Sequence, residues 1–154
     1  MGQTTENSLK IAASQEAIYA AFTIPSALEA WQAPGEMTAK VHHFDLSVGG
    51  GYTMSLTYPD SETGVKGKTT IKEDRYTAKF LELKPYSRIV EAIRFDTTDP
   101  DFAGEMIMNI TLEPTGIATR VTIVFENIPR GIRPSDNEAG TASSLNKLAE
   151  YVKQ

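Results

Sequence analysis

The middle of the chain alternates apolar and polar side chains without interruption. From residue 52 to residue 58, tyrosine, methionine, leucine and tyrosine alternate with threonine, serine and threonine. Because successive side chains of a strand point to opposite faces, this period of two predicts a strand with one buried and one solvated face. Five or six such strands in succession predict a curved antiparallel meander. Weaker strand patterns cover residues 8–12, 38–46, 69–74, 76–84, 88–96, 105–113 and 118–127, and a solvated loop is predicted at residues 59–68.

Helical spacing occurs on both sides of this meander. Ser14 is a suitable N-cap for a helix at residues 15–22, and Ser26 is one for a second short helix at residues 27–31. Near the C-terminus, acidic residues follow Pro134, and an apolar stripe then recurs every three or four residues, which predicts a long helix. The order of the elements therefore predicts an α+β fold.

Charge and cysteine content exclude several classes of function. The net charge of −5 and the pI near 5.1 argue against a nucleic-acid binder and a polybasic membrane anchor, because both need a basic face. The absence of cysteine excludes disulfides, thiolate metal sites and cysteine nucleophiles. Without an apolar leader or a run of about 20 apolar residues, we expect a cytoplasmic protein with no membrane insertion. The length suits one domain, residues 1–154, and leaves open whether it is a monomer or a homodimer.

Short landmarks recur in a characteristic order along nearly the whole chain. They are residues 17–22 and 27–31, Phe44-Asp45 followed by Gly49-Gly50, residues 81–83 with Pro85, and Gly140 leading into residues 145–148. Together they resemble the SRPBCC or START-like superfamily, in the branch named for the activator of the 90-kDa heat shock protein ATPase. The resemblance implies a helix-grip fold, in which a curved antiparallel sheet wraps around the C-terminal helix and leaves an internal cavity. Superfamily members bind lipids, sterols or polyketides, and some are cyclases.

The last helix departs from the family pattern at one position. Many members carry a tryptophan directly after the glycine of this helix, whereas this chain has Thr141. Residues 139–144 are all small, and larger side chains begin at Leu145. A narrow half-helix over a concave sheet leaves either a void or a close backbone approach, and the sequence leaves both alternatives open.

The candidate ligand-binding residues follow from the resemblance and from the alternation of side chains between the two faces of each strand. Methionine fills irregular space and tolerates changing partners, so strand faces rich in methionine suit an adaptable pocket, with an ordinary packed core as the alternative. The resemblance places Trp31 at a cavity rim, although a core anchor is the favoured interpretation. The candidate ligand-binding residues are Trp31, His42, Phe44, Tyr52, Met54, Tyr58, Glu91, Met106, Met108, Phe125 and Leu145.

Glu91 and His42 are the candidate acids or bases. Glu91 shares the parity of Ile89, and a carboxyl buried there would have a raised pKa, but the favoured interpretation is that it faces solvent, because glutamate is rarely buried unpaired. His42 is in phase with Phe44 and Leu46 and is predicted to face the pocket, as a structural rather than a catalytic histidine. The two adjacent histidines point to opposite faces of a strand, so we expect no metal site, and no cofactor motif is present.

Three functions are compatible with these features. The first hypothesis is a protein that binds a small apolar molecule, such as a lipid, a sterol or a polyketide, in an internal cavity. The second is a cyclase-like or hydrolase-like enzyme that uses Glu91 or His42 as acid or base, and the lack of a catalytic motif favours binding over catalysis. The third is a cofactor that stimulates a chaperone ATPase, for which we expect no activity, because the resemblance covers a single domain with no module for contacting a large ATPase.

Overall fold

A computed structural model describes residues 3–59 and 73–153 of the chain. Within these ranges, one antiparallel sheet of seven strands follows the order β1-β7-β6-β5-β4-β3-β2. The strands are β1 Gln3–Ile11, β2 Thr38–Asp45, β3 Gly51–Thr57, β4 Glu73–Lys84, β5 Arg88–Phe95, β6 Met106–Thr115 and β7 Ala118–Ile128. The helices are α1 Gln15–Thr23, α2 Pro25–Trp31 and α3 Pro134–Val152, and Pro100–Phe102 forms a 3-10 turn. The predicted α+β helix-grip fold is confirmed.

The chain order explains why the sheet has this topology. Strands β2 to β7 form a meander of consecutive hairpins, and β1 pairs with β7, so the first strand extends the sheet beside the last. The predicted loop at residues 59–68 and most of the strand predicted at residues 69–74 lie outside the described residues, and Glu73 and Asp74 begin β4. The helices pack on the concave face of the sheet, where the core lies. The described residues contain no helix that could span a membrane.

Local chemistry fixes the helix starts. The Ser14 side chain accepts a hydrogen bond from the backbone N–H of Ala17 at 3.1 Å, as predicted for an N-cap. The predicted cap at Ser26 is wrong, because α2 already begins at Pro25, whose ring suits the first helical position. Helix α3 begins at Pro134 in the same way.

A bulge in β2 changes which side chains face the core. Val41 lies opposite Met54 and His43 lies opposite Thr53, so residue 42 is an extra residue in the ladder. The predicted shared face of His42, Phe44 and Leu46 is therefore wrong. Phe44 packs against the core, but His42 is exposed and Leu46 is 48% exposed. The bulge turns the histidine away from the concave face.

The turn between β2 and β3 brings two backbones very close together. A Cβ atom added to Gly51 would lie 1.9 Å from the carbonyl oxygen of Ala78 on β4, and the φ angle of Gly51 is 152°. Only glycine fits both requirements. The turn therefore holds β3 against β4, and this positions Tyr52, the next residue, over the concave face.

Candidate functional site

A pocket of about 370 Å³ lies between one end of the concave face and the N-terminal half of α3. The sheet contributes Leu56, Asp74, Tyr76, Ile93, Phe95, Met106, Met108, Ile123 and Phe125, Tyr58 follows directly after β3, and α3 contributes Asp136, Asn137, Gly140, Thr141 and Ser144. The described lining is completed by Trp31 at the end of α2, by Gln32 and Pro34 in the segment after α2, and by Phe102, Gly131 and Ile132. Most of these side chains are apolar or aromatic.

The small residues of α3 leave this space open. A Cβ atom added to Gly140 would meet nothing nearer than the Cβ atom of Pro34 at 3.8 Å, so the helix does not approach another backbone closely there. The hydroxyl of Ser144 donates to the carbonyl oxygen of Gln32 at 2.7 Å, and the Lys147 ammonium donates to the carbonyl oxygen of Ala33 at 2.6 Å. These bonds attach α3 to the segment after α2, which fixes the width of the pocket.

Beside the pocket, a carboxyl group is buried in the core. Glu91 is 1% exposed, and its Oε1 atom accepts a hydrogen bond from the Tyr52 hydroxyl at 2.9 Å. Burial raises the pKa of Glu91 from 4.5 to about 7, although the Tyr52 hydroxyl acts in the opposite direction. The preferred interpretation that Glu91 faces solvent is wrong. Tyr52, on a strand that is not a neighbour of β5, supplies the partner that makes burial of this carboxyl possible.

Tyr76 connects this buried pair to the pocket. It lines the pocket and is buried, and its hydroxyl donates to the Sδ atom of Met54 at 3.2 Å. Burial and the nearby Glu91 carboxylate raise the pKa of Tyr76 well above its ordinary value, while the Tyr52 hydroxyl and the Gln32 amide interact with it and act in the opposite direction. Tyr76 and Gln32 line the pocket, whereas Glu91 and Tyr52 lie outside its described lining.

The structure distributes the eleven predicted ligand-binding residues over three environments. Five of them lie in the described lining of the pocket: Trp31, Tyr58, Met106, Met108 and Phe125. Five others lie in the core or against it, outside that lining: Phe44, Tyr52, Met54, Glu91 and Leu145. The last, His42, lies on the opposite face of the sheet, where its Nε2 atom is 2.7 Å from the hydroxyl of Ser55.

Trp31 combines both of its predicted environments. Its ring is 1% exposed, packs edge-on against Phe22 with 4.8 Å between the ring centroids, and donates from Nε1 to the carbonyl oxygen of Ala21 at 2.9 Å. It is thus a core anchor that also forms part of the pocket wall.

Sequence reasoning missed several pocket residues. Tyr76 shares the parity of Ala78 and Phe80, so its inward direction could have been predicted from β4. Gln32 carried no such signal, because it follows the end of α2 and its position depends on how that segment packs against α3.

The described residues offer little for binding a metal. Among residues 3–59 and 73–153, no group of three or more His, Asp or Glu side chains is arranged to hold a metal ion. The described pocket lining contains the carboxylates Asp74 and Asp136 but no lysine, arginine or histidine. Asp74 accepts a hydrogen bond from the Tyr58 hydroxyl at 3.1 Å. The lining of the pocket therefore combines apolar surface with acidic and uncharged polar groups.

Comparison with known proteins places this architecture in a family. The sequence model of one protein family, the activator of Hsp90 ATPase homolog 1-like proteins, matches residues 12–153. A crystal structure of a protein from Chromobacterium violaceum is 32% identical, with a TM-score of 0.86 and coverage of 98% of this chain and 97% of that one. A Rhizobium loti protein is 25% identical, with a TM-score of 0.76 and coverage of 98% and 97%.

A more distant structure shares the fold. An AHSA1-like protein from Aeromonas hydrophila is 18% identical, with a TM-score of 0.70 and coverage of 97% of this chain and 92% of that one. No curated protein matches the sequence. The family match over nearly the whole chain and the similar structures lead to one conclusion: the chain belongs to the family of activator of Hsp90 ATPase homolog 1-like proteins and has the SRPBCC fold.

Proposed function

We propose that the protein binds a small apolar molecule in the pocket between the sheet and α3. The observation that carries the proposal is the lining of this pocket of about 370 Å³, in which Met106, Met108 and Phe125 lie among mostly apolar side chains. Sites for small molecules are typically concave and apolar, with a few polar groups and a volume of roughly 300–1,000 Å³. The methionines would let the wall adjust to the shape of its ligand.

The volume limits the size of the ligand. At about 370 Å³, the pocket is near the lower end of the range of roughly 300–1,000 Å³ that is typical of sites for small molecules, which favours a ligand of modest size. Close-packed interiors contain few spaces of this size. An apolar ligand would restore contacts that the small side chains of Gly140, Thr141 and Ser144 do not make.

The proposal is tested by filling the pocket. We expect native mass spectrometry of protein purified from cells to detect a bound apolar molecule, and rebinding of that molecule to raise the melting temperature. Substitution Thr141→Trp places a bulky ring on the pocket lining and should abolish both signals. The matched control, Ala142→Trp, adds the same ring at an exposed position on the same helix and should retain them.

Two results would contradict the proposal. One is wild-type protein that carries no small molecule and shows no thermal shift with a panel of lipids and apolar metabolites. The other is a ligand that binds Thr141→Trp and wild type equally, since that would place the ligand outside the pocket.

An enzymatic function has less support. A general acid or base must lie within hydrogen-bond reach of the group that it protonates or deprotonates. Glu91 and His42 are both absent from the described pocket lining, and His42 lies on the other face of the sheet. The apolar lining supports binding without requiring either residue to react.

The description of the family favours a second candidate, stimulation of a chaperone ATPase. This is tested by measuring ATP hydrolysis by an Hsp90-class chaperone with increasing amounts of the protein. Under the ligand-binding proposal we expect no stimulation. Saturable stimulation that Thr141→Trp retains would favour the co-chaperone function, because it would not depend on the pocket.

A further inference from the structure

One wall of the pocket is formed by a loop that belongs to neither a helix nor the sheet. Residues 32–37, called here the 32–37 loop, connect α2 with β2, and Gln32 and Pro34 of this loop line the pocket. The residues that follow them, Gly35 and Glu36, are exposed to solvent. A single layer of chain therefore separates the pocket from solvent at this place.

Both ends of the 32–37 loop are fixed. Before it, the buried Trp31 donates from Nε1 to the carbonyl oxygen of Ala21 at 2.9 Å. After it, β2 begins, and the backbone N–H of Val41 donates to the Glu29 carboxylate at 2.7 Å, which attaches β2 to α2. Movement of the loop would therefore leave both of its ends in place.

The middle of the loop is attached to α3 mainly by hydrogen bonds. In addition to the bonds from Ser144 and Lys147, the backbone N–H of Gly35 donates to the Ser143 hydroxyl at 3.0 Å, and the Lys147 ammonium also donates to the carbonyl oxygen of Gly35. Of residues 32–37, all of which are described, only Ala33 is buried. Because water replaces each hydrogen-bond partner when the loop moves away, detaching it costs less than separating packed apolar side chains.

The other described walls of the pocket are held more firmly. Hydrogen-bond ladders join the strands, and Leu145 and Leu148 fix α3 in the core. In the segment before α3, the backbone N–H of Gly131 donates to the carbonyl oxygen of Asp101 at 2.7 Å, and Ile132 is buried. A Cβ atom added to Gly131 would lie 2.8 Å from that oxygen, so this segment is closely packed. Opening any of these walls would disrupt the core or the ladder.

We propose that the 32–37 loop is the gate of the pocket, which detaches from α3 to admit the apolar molecule and reattaches through Ser143, Ser144 and Lys147. This inference rests on the proposed function and adds how access to that site is controlled. Gly35, whose φ angle is 58°, suits a moving loop because glycine adopts positive and negative φ with similar ease. Loops of this kind control entry to many binding sites.

A reversible disulfide across the gate tests the proposal. A Cβ atom added to Gly140 would lie 3.8 Å from the Cβ atom of Pro34, within the range of about 3.5–4.5 Å found in disulfides. The double variant Pro34→Cys and Gly140→Cys should therefore link the loop to α3 when oxidised, and the chain has no other cysteine. Because the oxidised and reduced forms have the same side chains, the reduced form is the matched control.

The rates of exchange of a fluorescent probe give the readout. The probe is 6-propionyl-2-dimethylaminonaphthalene, an uncharged molecule whose emission shifts to shorter wavelength in apolar surroundings, and stopped-flow mixing measures its entry and release. We expect oxidation of the double variant to slow both rates by at least about tenfold, because the open state is removed from the equilibrium. Probe that is bound before oxidation should remain bound after dilution, and a reductant should release it.

A second variant weakens the gate and keeps the proposal testable if the disulfide does not form. Lys147→Met retains the length of the side chain but removes the ammonium bonds to the loop, and Lys147 lies outside the described pocket lining. We expect entry and release each to accelerate by about threefold to tenfold, with the affinity changed by less than about twofold. The control Lys153→Met removes an exposed ammonium that pairs with Glu150 and should keep wild-type rates. Circular dichroism would verify that the variants are folded.

The outcomes separate this inference from the proposed function. Equal exchange rates in the oxidised and reduced forms of the double variant, or wild-type rates in Lys147→Met, would overturn the gate and leave apolar binding in place. Failure of wild type to bind the probe, together with the absence of a co-purified molecule, would overturn both.

Discussion

The two halves of α3 lie over the same concave sheet but meet it differently. The C-terminal half places Leu145 and Leu148 in the core, where both are almost fully buried. The N-terminal half presents Gly140, Thr141 and Ser144 to the pocket. The sheet carries large apolar or aromatic side chains in both regions, with Phe80 and Leu112 in the core and Met106 and Phe125 at the pocket.

The comparison shows that side-chain volume on the helix, rather than polarity on the sheet, separates packed core from open pocket. A helix and a sheet in contact are held at a distance set by their largest side chains. Where leucines fill that distance, the interior is close-packed. Where the helix presents the small residues Gly140, Thr141 and Ser144 and is held in place by hydrogen bonds from Ser144 and Lys147, the space remains.

The largest effect is expected in the packed half. Leu148→Ala removes a side chain with no solvent exposure, and we expect the free energy of unfolding to fall by about 2–5 kcal/mol, through lost burial and the cavity left behind. Equilibrium unfolding in urea measures this loss. Thr141→Ala in the open half, with one small side chain replaced by another, should cost less than about 1 kcal/mol. Equal losses at the two positions would contradict the division of the helix into a packed and an open half.

The buried carboxyl of Glu91 should give the protein a pH-dependent stability. The pKa of Glu91 is about 7 in the folded protein, above its ordinary value of 4.5, so the folded state holds a proton that the unfolded chain releases between these pH values. The contribution of this group to stability is complete below pH 4.5 and decreases as the pH rises to 7, by about 3 kcal/mol in all.

Replacing that carboxyl isolates its contribution. Urea unfolding between pH 4 and 8 should show that Glu91→Gln lacks this loss, because its amide can still accept from Tyr52 and does not ionise. The control is Glu82→Gln, which neutralises a half-exposed carboxyl on β4 and should keep the wild-type dependence. If the free energy of unfolding depended on pH in the same way for Glu91→Gln and for wild type, the pKa of Glu91 would not be raised in the folded protein.

The smallest effect is expected from adding volume to the open half. Thr141→Leu loses a hydrogen bond to the carbonyl oxygen of Asn137 within the same helix but fills empty space, so we expect a change in unfolding free energy within about 1 kcal/mol, in the stabilising direction. The same enlargement in the packed sheet, Ala78→Leu, should cost about 1–3 kcal/mol or more, because Ala78 is fully buried. A large loss in Thr141→Leu would show that the open half has no room for the added carbon atoms.

The repetitive elements could be predicted because their signals are local. The alternation around Tyr52 and the apolar stripe ending at Val152 each follow the period of one element. The predictions of side-chain direction were wrong where that period was interrupted, or where burial depended on a residue from another element. The bulge at residue 42 changed which side chains of β2 face the core, and no residue type in that strand indicates a bulge.

The part of the candidate site that follows a local period could also be predicted, whereas the part that depends on distant residues could not. Met106, Met108 and Phe125 follow from strand parity, since a residue that faces inward near a void becomes part of its wall. The burial of Glu91 depends on Tyr52, which is 39 residues away in the sequence. No local pattern contains such a partner.

The sequence by itself determined the order of the elements, the inward faces of most strands and the small-residue half of the last helix, because each depends on near neighbours in the chain. Only the tertiary structure decided that this half-helix borders an open pocket, that Tyr76 and Gln32 meet at its wall and that a carboxyl lies buried behind them. The physical reason is distance: open space and polar pairing depend on the separation of two packed layers, which side chains far apart in the sequence set together.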